Sequence, residues 1–181
     1  MANLFQHNST IHDFSWANLG DVKAGREDLG EDMPVIVYRL MQFTMLDILS
    51  KEYGNDEAND LFRRAGFLAG SEFAKNLLDL TTDLNTFLSQ LTTALSDFKI
   101  GILRMEAMDP ETGKLLLTVG QDLDCSGLPV TDETVCHYDE GFVAGLLNAY
   151  TGIVYDVKEI DCWSNGDRVC RFDAMPSAEK K

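Results

Sequence analysis

Cys136, Glu159, Cys162 and Cys170 follow the pattern C-x22-E-x2-C-x7-C near the end of the 181-residue chain. Three thiolates and one carboxylate are a donor set for a tetrahedral zinc ion, and a shell closed by four protein ligands leaves no position for a substrate. The chemistry implied is a structural clasp, not a reaction centre. For it to form, Cys162 and Cys170 must face each other across a hairpin that turns at Ser164, Asn165, Gly166 and Asp167, and a helix carrying Cys136 must pack over its end. Strand alternation puts positions 159 and 162 on opposite faces, so Glu159 joins the site only through a bulge or strong twist near Ile160 and Asp161. His137 and Asp161 compete for that fourth place. Cys125, in a loop with Gly127 and Pro129, reads as an alternative ligand, a redox-active thiol or an ordinary half-buried cysteine. Metal-free thiols, or a disulfide between Cys162 and Cys170, are the other readings of the same spacing.

The elements that would position these residues follow from hydrophobic periodicity. Asp32 and Pro34 open a helix that runs to about Tyr53 and stops at Gly54. Its apolar residues, from Val35 to Leu49, cover nearly the whole circumference. Such a helix needs cover on both sides, which points to a homodimer. Arg39 and Gln42 interrupt that surface, either simply exposed or meeting a ligand head group. A second helix is predicted from Asn55 or Asp56 toward Leu80, and a third from Asp83 to about Phe98. Leu103, Met105 and Ala107, then Leu115, Leu117 and Val119, alternate on either side of the turn DPETGK and form a β-hairpin. A fourth helix is predicted over Glu133 to Tyr150, ending at Gly152, with strands near 153–163 and 168–175 closing the chain. The fold class is α+β: helices packed on an antiparallel sheet, with a C-terminal β-hairpin clasped by zinc.

Residues 1–13 read as a flexible arm, 14–175 as a single domain and 176–181 as a tail, with a Gly- and Asp-rich stretch over 14–33 wrapping the domain. GFLAG at 66–70 and GFVAG at 141–145 echo each other. Glycines four apart in a helix cost roughly 1 kcal/mol each relative to alanine, so something must approach the backbone closely there, a neighbouring helix or sheet before a ligand.

The formal charge is −15, from 15 basic and 30 acidic residues. That surface repels phosphate backbones and anionic lipid, which disfavours nucleic-acid and membrane partners. Neither a secretory leader nor a long apolar run is present, and cysteines read as thiols or ligands fit a cytoplasmic protein.

The run CSGLPVTDETVCHYDEGFVAGLLNAYTG followed by VKEIDCWSNGDRVCRF, from Cys125 to Ala174, resembles the 4-vinyl reductase domain family. The stretch LGDVKAGREDLGEDMPVIVYRLMQFT extends the likeness to about residue 16. The resemblance implies a fold similar to phenol-sensor domains of transcription activators and to vesicle-tethering subunits, a cavity for a small hydrophobic molecule, and a dimer. It also implies zinc held by three cysteines and a glutamate, which match Cys136, Glu159, Cys162 and Cys170 one by one. The ATPase and DNA-binding modules of those activators have no counterpart in the sequence, and no His lies between His12 and His137, where the sensors hold their aromatic ligand.

A cytosolic binding module, carrier or sensor, is the leading functional reading. Phe62, Phe67, Phe87, Phe142, Leu146 and Tyr150 are candidates to line its pocket, or else dry core. The alternatives are an enzyme or accessory factor acting on a hydrophobic or tetrapyrrole substrate, with His137, Tyr138 and Cys125 as its reactive groups, and a structural assembly subunit. No nicotinamide, flavin or phosphate-loop motif supports the enzyme.

Overall fold

The structure, a computed structural model, describes residues 13–177. The arm expected over residues 1–13 falls outside them except for Asp13, as do the last four residues of the expected tail. The chain divides into two compact units, one ending at Glu31 and one beginning at Asp32. In the first, the stretch expected to be a loop holds two short helical turns: a 3-10 helix at Trp16–Leu19 and α1 at Val22–Gly25. The Asp21 carboxylate starts α1 by accepting the Ala24 N–H at 2.9 Å.

The second unit opens with α2, Val35–Tyr53. Its N-cap is Pro34, in extended conformation and without a side-chain cap bond, so the helix starts later than Asp32. Proline disfavours helical geometry in the residue before it. Gly54, at φ +89°, stops α2 and leads directly into α3, Asn55–Leu77. Asp83 caps α4, Leu84–Asp97, by accepting the N–H groups of Asn85 and Thr86 at 3.0 and 3.2 Å. Phe87, Leu88, Leu91 and Leu95 recur at helical spacing along α4 and are all buried.

Strands β1 (Ile102–Met108) and β2 (Leu115–Gly120) form the expected first hairpin. Next comes α5, His137–Thr151, ended by Gly152 in the left-handed region. It begins four residues after Glu133, where the sequence placed its start. The intervening chain is tied to the last turn: Thr131 N–H donates to the Ser164 carbonyl at 2.7 Å, and the Ser164 hydroxyl donates to the Glu133 carbonyl. Strands β3 (Tyr155–Asp161) and β4 (Val169–Pro176) complete a four-stranded antiparallel sheet in the order β1-β2-β4-β3. The unit is α+β.

The paired glycines explain how its helices stack. A Cβ on Gly66 or Gly70 would overlap the carbonyl oxygen of Tyr138 or Phe142, and one on Gly141 or Gly145 would overlap that of Arg63 or Phe67. The two motifs therefore interlock, backbone against backbone, at the crossing of α3 and α5. The core beneath α4 and α5 is apolar, with Leu117, Val119, Val143, Leu147 and Phe172 all buried.

Candidate metal centre and buried cavity

Four segments bring the cysteines together. Cys125 lies in the loop after β2, Cys136 immediately precedes α5, Cys162 follows β3 and Cys170 is the second residue of β4. Their sulfurs all lie within 4.8 Å of one another, buried and unbridged. With metal–sulfur bonds of about 2.3 Å, a tetrahedral site has sulfur–sulfur edges of about 3.8 Å. The Cys136 sulfur is 3.7 Å from that of Cys162 and 3.8 Å from that of Cys170, while Cys125 approaches Cys170 to 3.0 Å. Four soft donors at this spacing could hold one metal ion, with a shift of Cys125 to complete the shell.

The thiols' electrostatics point the same way. The three neighbouring sulfurs donate toward Cys162 and hold its thiol far below the usual range. Sulfur–sulfur hydrogen bonding pushes those of Cys136 and Cys170 up. Four adjacent sulfurs cannot all ionise without a cation between them, and a bound metal takes its thiolates deprotonated.

The bulge that Glu159 required is present: the β3–β4 register shifts between Glu159 and Asp161. Glu159 is buried beside the cluster, with one oxygen accepting the Cys136 N–H at 3.1 Å and the other without a partner. Burial, then the negative charge of Cys162, pushes its carboxyl up to about 8. His137 and Asp161 are engaged elsewhere, His137 with Arg63 at 3.1 Å and Asp161 with Arg171.

The Cys125 loop is held by α2. The Tyr38 hydroxyl and Gln42 amide donate to the two oxygens of Asp124 at 2.8 and 2.5 Å, and Arg39 donates to the carbonyls of Leu123 and Ser126 at 2.8 and 2.9 Å. Gln42, only 8% exposed, is the one buried residue of α2. Simple exposure of Arg39 and Gln42 is thus corrected: they are the polar turn that docks α2 on the loop. Asp122 shapes the loop from within, accepting the N–H groups of Asp124 and Cys125 at 2.9 and 3.0 Å.

A cavity of about 30 Å³ lies next to the cluster, walled by Leu91, Leu103, Leu117, Phe142, Leu146 and Phe172 among other apolar residues. Its polar wall is Asp122 and Asp139. These two carboxylates also lie within 4.8 Å of the Cys136 sulfur, so cavity and cysteine cluster share a wall. Burial foremost, then the charges of Asp122 and Asp124, raises the Asp139 carboxyl, and one of its oxygens has no partner. Burial likewise raises Asp122. Of the six residues expected to line a pocket, Phe142 and Leu146 do so. Phe87 stacks on Tyr150 with centroids 4.0 Å apart, and the Tyr150 hydroxyl donates to the Thr82 carbonyl at 2.9 Å. Phe62 and Phe67 sit half-buried on α3, away from the cavity wall. Asp122 and Asp139 were missed; an acid at the start of a helix as apolar as residues 141–147 was the available signal for Asp139.

No helix among the described residues is long and apolar enough to cross a membrane. An uncharacterised protein of Methanocaldococcus jannaschii is 28% identical over 156 residues, 86% of this chain and 85% of its own length. Two solved structures share the fold at low identity. The phenol-responsive sensory domain of the transcription activator PoxR, crystallised with phenol, has a TM-score of 0.63 at 18% identity, covering 82% of this chain and 78% of its own. A trafficking protein particle complex subunit 3 from Naegleria fowleri, covalently bound to palmitic acid, has a TM-score of 0.59 at 9% identity, covering 82% of this chain and 99% of its own. Residues 116–176 match the vinyl-4-reductase domain family. The segment that carries all four cysteines, α5 and the closing β3–β4 hairpin is therefore a vinyl-4-reductase domain.

Proposed function

We propose that the protein is a binding module for a small hydrophobic molecule, a carrier or sensor, with one pocket wall fixed by a structural zinc ion. The observation that carries this reading is the shared wall: Asp122 and Asp139 border both an otherwise apolar cavity and the cysteine cluster. Ordering the cluster orders the pocket. The sulfurs of Cys125, Cys136, Cys162 and Cys170 would hold the zinc, which neutralises their charge and leaves no open position. Glu159, with its free oxygen, is the competing oxygen donor. The two neighbouring folds, one holding phenol and one palmitic acid, support a hydrophobic ligand class. Asp122 and Asp139 favour a ligand that ends in a hydrogen-bond donor.

At about 30 Å³ the cavity is far smaller than the roughly 150 Å³ that accommodates benzene. Binding therefore requires the walls to move apart, and that opening is what a sensor would report. The exposed apolar face of α2, with Ile36, Leu40, Met45 and Ile48 each more than half exposed, is proposed as the contact with a second copy. Titration with phenol, followed by NMR of the core methyl groups, tests the ligand reading. It predicts saturable shifts at Leu117 and Leu146 that Leu146→Phe abolishes. Unmoved methyl resonances at millimolar phenol would contradict it.

A further inference from the structure

The second unit holds four cations without a carboxylate ion pair among the described residues, Arg39, Lys99, Arg104 and Arg168, and all four line two adjoining grooves. Arg39, Lys99 and Arg168 line one of about 470 Å³ together with Trp163, Leu123 and Val35. Arg104 and Arg168 line the other, of about 210 Å³, and Gln121 borders both. In the same unit Lys51, Arg63, Arg64, Lys75, Lys114, Lys158 and Arg171 are each paired with an acid. In a chain of net charge −15, unpaired cations have acidic neighbours available almost everywhere, so their convergence at one place is selective.

The groove is also built. Two carbonyls fix the Arg39 guanidinium through Nε and Nη2, at 2.8 and 2.9 Å. The Arg168 guanidinium lies over the Trp163 ring, 5.0 Å from its centroid, and the Trp163 N–H is anchored on the Leu128 carbonyl at 3.0 Å. Lys99 and Gln121 hold the left-handed backbone at φ +59° and +53°, a conformation costly for non-glycine residues and concentrated at functional sites. The two acids beside it are buried and engaged. Asp122 lines the groove but is 3% exposed, with one oxygen taken up by two backbone N–H groups, and both oxygens of Asp124 accept from Tyr38 and Gln42.

We infer that this groove is a second ligand site, separate from the buried cavity, for a small organic anion: a phosphate or carboxylate group on a flat apolar body. The charged group meets Arg39, Lys99 and Arg168, and the body lies against Trp163, Leu123 and Val35. Charge attraction of this kind is screened by salt, over about 8 Å at physiological ionic strength.

Isothermal titration with 1-naphthyl phosphate, and separately with inorganic phosphate, tests the site. At about 20 mM salt the wild-type chain is expected to bind the naphthyl ester saturably, tenfold or more tighter than inorganic phosphate, and to weaken steeply by about 300 mM salt. Lys99→Gln and Arg168→Gln alter exposed side chains, and each is expected to weaken binding about tenfold with an unchanged melting curve. Lys114→Gln, whose ammonium pairs with Asp173 at 2.7 Å, is expected to leave binding unchanged. Absence of saturable binding at low salt overturns the inference. So does binding that survives the Lys99→Gln, Arg168→Gln double variant, or that is lost on Leu146→Phe instead, which would put the probe in the cavity.

Discussion

Replacing Glu140 by Gln removes one negative charge from the junction of α3, α5 and β3 at almost constant volume. One Glu140 oxygen receives the Arg63 Nε at 2.5 Å, with His137 at 3.4 Å and Lys158 at 3.7 Å, and the other receives the Glu159 N–H at 3.0 Å. Burial by itself would raise this carboxyl. Hydrogen bonds from His137, Arg63 and the Glu159 backbone overcome it and hold the group at about 2, against an ordinary 4.5. That gap is worth about 3 kcal/mol, and about 2 kcal/mol after allowance for water around Arg63 and Lys158. Because the folded-state value is depressed, the contribution is fully present above pH 4.5 and is lost as pH falls toward 2. We therefore expect Glu140→Gln to lower Tm at pH 7 by about 6 °C, and the gap from wild type to shrink to less than half by about pH 3. Urea unfolding of both proteins at several pH values reads this directly, since contributions from other acid-sensitive groups cancel in the difference. Equal stability at pH 7, or a gap that stays constant to pH 3, would refute the reasoning.

Gly145→Ala should be severe, because the new methyl meets the Phe67 carbonyl; we expect a loss of about 3 kcal/mol or more in urea unfolding. Gly120→Ala is its control: the nearest atom is a Val169 methyl at 3.9 Å, and stability should change by less than about 1 kcal/mol. Leu146→Ala should cost about 2–5 kcal/mol and enlarge the cavity, so that benzene raises the Tm of the variant more than that of wild type. Leu40→Glu, on a residue 59% exposed in the single chain, should convert a dimer to monomer by light scattering without lowering the stability of the monomer.

Periodicity made the sheet, the α4 core face and both glycine motifs readable, because each depends on contacts repeating at a fixed interval. The bulge near Ile160 could also be deduced, since Glu159 and Cys162 had to be reconciled on one strand. What escaped depended on long-range encounters. Cys125 reaches the cluster from a loop that Asp122 shapes internally and α2 grips through Tyr38, Arg39 and Gln42, across more than 80 residues of sequence. Glu140 read as a surface acid of a first helical turn until Arg63 and the Glu159 backbone were placed beside it. The late start of α5 had the same origin: the backbone between 131 and 133 bonds to Ser164 instead of continuing a helix.

Metal content by native mass spectrometry of protein purified with zinc present tests the central claim most directly. The account predicts one zinc per chain, lost in Cys170→Ser, with Cys125→Ser and Glu159→Gln showing which donor completes the shell. A zinc-free mass for the wild-type chain, with all four thiols free to react on unfolding, would contradict it.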